Sequence, residues 1–164
     1  MKYVTYSEFT EIYGGSVDEN TFNILSFDAC KIADNVTTGV DGVRKLKVAF
    51  PVTDEDDSYA VKRTICDIIH LMAVVKSIED SANEAGTYVT DENGNIKGKV
   101  VSSVSAGSES IHFATGDVKT LAVTLANDLK ERKTSYKQIA IDGFRGIKDE
   151  NGVNLLYMGM YPVE

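Results

Sequence analysis

Few residues in this chain are able to do chemistry, and their spacing limits what that chemistry could be. There are two histidines. His70 lies inside an apolar helical run, where an imidazole reads as a structural group. His112 closes the stretch Ser108-Glu-Ser-Ile-His112, which contains the residue types of a nucleophile, an acid and a base. Residues this close on an extended strand alternate faces, and no oxyanion donor is indicated, so a Ser/His/acid mechanism finds little support there. Cys30 and Cys66 each fall on an apolar helical face without metal-type spacing, and read as reduced core thiols. Thr53-Asp-Glu-Asp-Asp57 gathers four carboxylates. With no partner cluster near them in sequence, they fit the positive end of a helix dipole better than a metal site. Asp91-Glu-Asn-Gly94 returns as Asp149-Glu-Asn-Gly152. A calcium loop needs alternating oxygen ligands, a glycine at its sixth position and a distant glutamate, so both copies read as turns. No Walker loop, Rossmann glycine fingerprint or His-Glu-x-x-His is present, and no paired carboxylates stand out as acid and base. The expectation is a protein that is not an enzyme and uses no cofactor and no metal.

Composition narrows the classes further. The 164 residues are 43% hydrophobic, which predicts a single domain over 1–164 with a substantial core. No apolar run approaches membrane-spanning length, and the opening Met-Lys-Tyr-Val-Thr-Tyr lacks a signal-peptide core, so synthesis and use in a cytoplasm are expected. The formal net charge is −8 and the pI about 4.8. Nucleic-acid affinity comes mainly from neutralising phosphates, so such a chain is poorly suited to gripping DNA. It could still line a passage through which DNA slides without capture; simple solubility explains the same charge.

The elements that must position these residues are mostly helical. Asp57–Ser81 carries Ala60, Val61, Ile65, Ile68, Leu71, Met72, Val75 and Ile78 at spacings of three and four, and Ile69 and Val74 widen the stripe. A helix apolar over most of its circumference sits inside a fold, so residues 56–82 are expected as the central helix of a small bundle. Lys62, Arg63, Asp67 and Lys76 mark its wet side. Capping boxes at Thr5-Tyr-Ser-Glu8 and Ser16-Val-Asp-Glu19 open helices over 5–13 and 18–36. Helices are also expected over 117–131 and 134–145, with the basic run Lys130–Lys137 between them. Residues 40–56 hold no clean period. A hairpin turning at Asn93-Gly94 and an extended, small-polar arm occupy about 86–114. The apolar tail 154–164 suggests a short C-terminal strand, costly to leave in water unless covered. The fold class is therefore mainly α: a helical bundle with a β-hairpin or arm and a terminal strand.

Three stretches together resemble one family, the phage head–tail connector proteins, or head-completion adaptors, of long-tailed phages and prophages. They are Tyr6-Ser-Glu-Phe9 through Tyr13-Gly-Gly15 with Glu19 and Phe22; the arm Ser102–Phe113; and Leu155-Leu-Tyr-Met-Gly-Met-Tyr161, similar to the family's closing Leu-Leu-Tyr-Arg-Gly-Val-Tyr. The last is the most specific, and the likeness follows the helical order of nearly the whole chain. Met158 stands where the family often carries Arg, which removes a charge from the expected contact surface. Stretches 40–56, 83–99 and 130–148 look longer than usual. The resemblance implies a structural virion protein at the head–tail junction, assembled in the host cytoplasm. Copies would form a ring under the portal, dodecameric if it follows the portal's symmetry. That ring would extend the DNA channel without binding DNA specifically and would receive stopper or tail proteins. The contact residues it implies are Leu155, Leu156, Tyr157, Met158, Met160 and Tyr161 in the tail, and Ser103, Ser105, Ser108, Glu109, Ile111 and Phe113 in the arm. The alternatives are a head-closure or tail-end protein of the same junction, and, in a different class, a host-side binding module or enzyme.

Overall fold

The first helix begins where a reciprocal cap begins it. The Glu8 amide donates to Thr5 Oγ1 at 3.3 Å and the Thr5 amide donates to Glu8 Oε2 at 2.7 Å, so two orphan amides are satisfied at once. Helix α1 then runs Tyr6–Tyr13 and ends at Gly14, whose φ of 66° suits a residue without a side chain. The structure, a computed structural model, describes residues 2–83, 87–105, 110–116 and 120–160; of 100–105 and 110–116 it describes the backbone. Its described elements are six helices and three strands: α1, α2 Glu19–Val36, α3 Lys45–Ala49, α4 Glu55–Asn83, β1 Tyr88–Thr90, β2 Ile96–Ser105, β3 Ser110–Gly116, α5 Leu121–Asn127 and α6 Leu129–Gly143. The fold is mainly helical around one long helix, as the periodicity predicts. The chain contacts divide into two compact units, one made of residues up to Ala73 and from Lys133 onward, the other of Val74–Arg132.

The first unit is built on α4 as far as Ala73. Val61, Ile65, Cys66, Ile68, Ile69 and Met72 are buried, which leaves Arg63 exposed on a narrow wet strip. Asp54 starts the helix by accepting from the Asp57 amide at 3.0 Å, so the acidic run does serve a helix start. Around α4 the core collects Phe9, Phe22, Leu46, Phe144 and Leu155, all fully buried. Phe9 and Phe22 meet with ring centroids 5.4 Å apart. Gly143 makes the approach of α6 possible, because a Cβ there would collide with the Thr64 side chain. Two expectations change here. The cap of α2 is Asp18, which accepts from the Thr21 amide at 3.0 Å, while the Ser16 hydroxyl turns back to the Tyr13 carbonyl. The segment 40–56 contains α3, a five-residue helix with no side-chain cap.

The second unit holds the sheet, in the order β1-β2-β3, antiparallel throughout. Its buried residues include Val75, Ile78, Val123 and Leu125. The Asn93-Gly94 turn is as expected: Asp91 Oδ1 accepts from the Asn93 and Asn95 amides, both at 2.9 Å, and Gly94 has a φ of 82°. In the first unit, Asp149 repeats the pattern, accepting from the Asn151 amide at 3.0 Å and the Val153 amide at 2.7 Å. The two Asp-Glu-Asn-Gly copies are one turn built twice. Arg132 ties the second unit together: it donates to the Leu125 and Ala126 carbonyls, both at 2.8 Å, and to Glu79 at 2.6 Å. These bonds satisfy carbonyls that the end of α5 leaves open.

Three further expectations are corrected. The break expected near 132–133 falls at Asp128 instead, because Asp128 Oδ1 accepts from the Lys130 amide at 2.8 Å and the Glu131 amide at 3.0 Å and so starts α6. The basic run therefore lies inside a helix. The arm is no single extended strand, since β2 and β3 pair with each other. The C-terminal strand is absent among the described residues. Lys148 and Asn154 make one isolated bridge, and the Tyr157 amide donates to the Asn154 carbonyl at 2.9 Å, which turns the chain.

Candidate contact surface

The loop after α2 and the tail lie side by side and carry exposed apolar residues, Val40 among them. Thr37 and Thr38 hydroxyls donate to carbonyls of the last turn of α2, Thr38 to Asp34 at 2.7 Å. The loop then closes on itself: Thr38 bridges Arg44, the Gly39 amide donates to the Val43 carbonyl at 3.0 Å, and Asp41 Oδ1 accepts from the Val43 amide at 3.0 Å. This leaves Val40 at the tip, 76% exposed. Its amide donates to the Met158 carbonyl at 3.1 Å, so the tip and the tail lie side by side.

Lys45 fixes the tail against that loop. Its side chain is fully buried, which a lysine tolerates only when its charge is met by polar partners. The ammonium donates to the Tyr157 carbonyl and stands 5.8 Å from the centre of the Tyr157 ring. Gly39 leaves room for it. A Cβ on Gly39 would lie 2.8 Å from the Gly159 carbonyl oxygen, 2.8 Å from Asp41 Oδ1 and 3.1 Å from Lys45 Nζ.

The tail residues divide by role. Leu155 is fully buried in the core, and its amide donates to the Ile147 carbonyl at 3.0 Å. It anchors the segment and is not exposed for a partner. Leu156 is half-buried against the same core. Tyr157, Met158 and Met160 are exposed, Met160 the most at 75%. Tyr161 lies outside the described residues. The anchored half explains why the outer half holds a defined place.

The expected arm contacts also divide. Ser108 and Glu109 lie outside the described residues. In register, Val101 faces Phe113, Ser103 faces His112, Val104 faces Ile111 and Ser105 faces Ser110, with a bulge between Val101 and Ser103. Without the bulge, Val101 and Val104 would occupy opposite faces. With it, Val101, Val104, Ile111 and Phe113 share one face, and Ser103, Ser105, Ser110 and His112 share the other. Ile111 and Phe113, two apart on β3, share a face in any case; the bulge adds both Val101 and Val104 to that face and leaves Ser103 and Ser105 on the other.

Neither cysteine carries a disulfide. Burial first, then the nearby Asp67 charge, pushes the Cys66 thiol up to about 12, the behaviour of an inert core thiol. His70 stacks flat on Tyr13, centroids 4.3 Å apart, and its Nδ1 is buried without a hydrogen-bond partner. Tyr13 donates its hydroxyl to Asp67; burial and that bond raise its pKa to about 12. No group of three His, Cys, Asp or Glu among the described residues could hold a metal ion, and no helix among them is long and apolar enough to cross a membrane.

Two apolar surfaces went unread in the sequence. Val40 carried a signal, an apolar residue between Gly39 and Asp41 at a loop tip. Ile24 and Phe27, 66% and 67% exposed on α2, carried another, since both are out of phase with the buried stripe of Phe22, Leu25 and Ala29. Compared with protein families, with curated proteins and with solved structures, the chain matches none.

Proposed function

We propose that this chain is a structural adaptor of a phage or prophage head–tail junction, forming a ring between portal and tail and making or breaking no covalent bond. The observation that carries the reading is the exposed apolar surface of Val40, Tyr157, Met158 and Met160, held in place by buried Leu155 and Lys45. An apolar surface kept in a fixed position in water suits a contact with another protein, and methionines adapt to the shape of a partner. The same segment is the stretch most similar to the connector family. In this reading the tail surface meets the portal, and copies of the chain, stopper or tail proteins occupy other faces. The net charge of −8 suits a channel wall that DNA slides past.

The test replaces Met158 and Met160 together by Ser in the phage or prophage that encodes the chain. Both side chains are exposed, so the fold should survive. The expected result is filled heads and free tails, seen by electron microscopy, with the purified variant unfolding at the wild-type urea concentration. Normal yields of joined particles from the double variant would overturn the reading. So would absence of the chain from purified particles.

A further inference from the structure

We propose that a groove between α1 and α4 binds a cationic side chain, arginine above all, presented by another polypeptide. The groove is lined by Glu8, Glu11 and Ile12 from α1 and by Tyr59, Lys62 and Arg63 from α4, and has a volume of about 340 Å³. That is near the lower end of the ~300–1,000 Å³ typical of ligand pockets, a size suited to one long side chain.

The charges of the lining decide the sign of the occupant. Lys62 is already paired with Glu8 at 2.6 Å. Arg63 is paired with Asp67 at 3.1 Å. Asp67 does not itself line the groove but neutralises Arg63, so Glu11 is the one lining carboxylate without a partner among the described residues, and it is exposed. An anion entering the groove would meet Glu11 with both cations already engaged. A cation would meet an open carboxylate.

Tyr59 adds the second feature. It is 57% exposed, so its ring is open to a ligand in the groove. A guanidinium stacks on an aromatic face more readily than an ammonium and can at the same time donate two parallel hydrogen bonds to a carboxylate. Glu11 of α1 and Tyr59 of α4 line the same groove, which offers a guanidinium both a carboxylate and an aromatic ring. Ile12 offers apolar surface for the methylene stem.

The test is an NMR titration of the full chain with N-acetyl-arginine amide, with N-acetyl-glutamate amide as the anionic control. The expected result is a saturable shift of the Glu11, Ile12 and Tyr59 amides with the arginine compound only. Glu11→Gln should weaken binding about tenfold or more, and Tyr59→Leu by a smaller factor. Shifts spread over many surface carboxylates, with an unchanged midpoint in Glu11→Gln, would overturn the proposal, because they would reflect only attraction to a chain of charge −8. Equal or stronger shifts with the glutamate compound would overturn it as well. Neither result bears on the tail surface, which shares no residue with this groove.

Discussion

Replacing Gly39 by Ala tests how the tail surface is held. Gly39 does not adopt a left-handed φ, so alanine is conformationally permitted there. Taken alone, that exchange would stabilise the protein by roughly 0.4–1 kcal/mol, through the reduced entropy of the unfolded chain. The packing argues the other way. The new Cβ would lie 2.8 Å from Asp41 Oδ1, 2.8 Å from the Gly159 oxygen and 3.1 Å from Lys45 Nζ. Asp41 is exposed and can swing aside, whereas Lys45 Nζ is buried and held by the Tyr157 carbonyl. The Gly159 oxygen is backbone and can yield only if the tail moves. Overpacking of this kind costs roughly 1–3 kcal/mol, so the net expectation is a loss of about 1–2 kcal/mol. Displacing Gly159 would also loosen the bond from the Val40 amide to the Met158 carbonyl. Urea unfolding reads the first effect, and hydrogen exchange at the Val40 amide reads the second. If Gly39→Ala proves as stable as wild type or more so, with Val40 still protected, then the loop and tail do not meet as described.

Other substitutions probe other contacts. Gly143→Ala should destabilise by roughly 2–3 kcal/mol in urea, because its Cβ would collide with Thr64; adding Thr64→Gly should recover part of that loss. Burial tends to raise the Glu8 pKa, but hydrogen bonds from Lys62 and Thr5 outweigh it and hold the group below its usual 4.5. A depressed carboxylate contributes stability above the unfolded pKa and loses it as pH falls through the folded value. Urea midpoints should therefore drop on acidification below about 4.5, and Glu8→Gln should flatten that drop. With its thiol raised to about 12, Cys66 should resist iodoacetamide at pH 8 in the native chain and react fully in urea; rapid native alkylation would show that α4 is not packed as described.

How much could be read from the sequence depended on whether a signal was local. Thr5 and Glu8 stand three residues apart and meet within one turn, so α1 could be read directly. The long apolar stripe of α4 and the Asn93-Gly94 turn were equally plain. The break before α6 was misplaced, because a basic run looks like a linker while Asp128, two residues upstream, does the capping. The five-residue α3 has no cap and too few turns to show a period. The bulge in β2 is a property of pairing, and only the register shows that Val101 and Val104 share a face.

The tail shows the deeper limit. Leu155-Leu-Tyr-Met-Gly-Met is uniformly apolar, and composition cannot separate an anchor from a contact. What separates them is the partner each backbone group finds. The Leu155 amide reaches the Ile147 carbonyl and draws that side chain into the core, whereas the Tyr157 carbonyl is taken by a lysine 112 positions away in sequence. Lysine is among the residues least often fully buried, so nothing local marks Lys45 as an interior residue. Once it is interior, its ammonium needs an acceptor, and the tail supplies one. That bond ties the backbone just before Met158 to the loop, whose Val40 amide in turn donates to the Met158 carbonyl. The exposed tail surface is therefore set by the buried lysine beneath it.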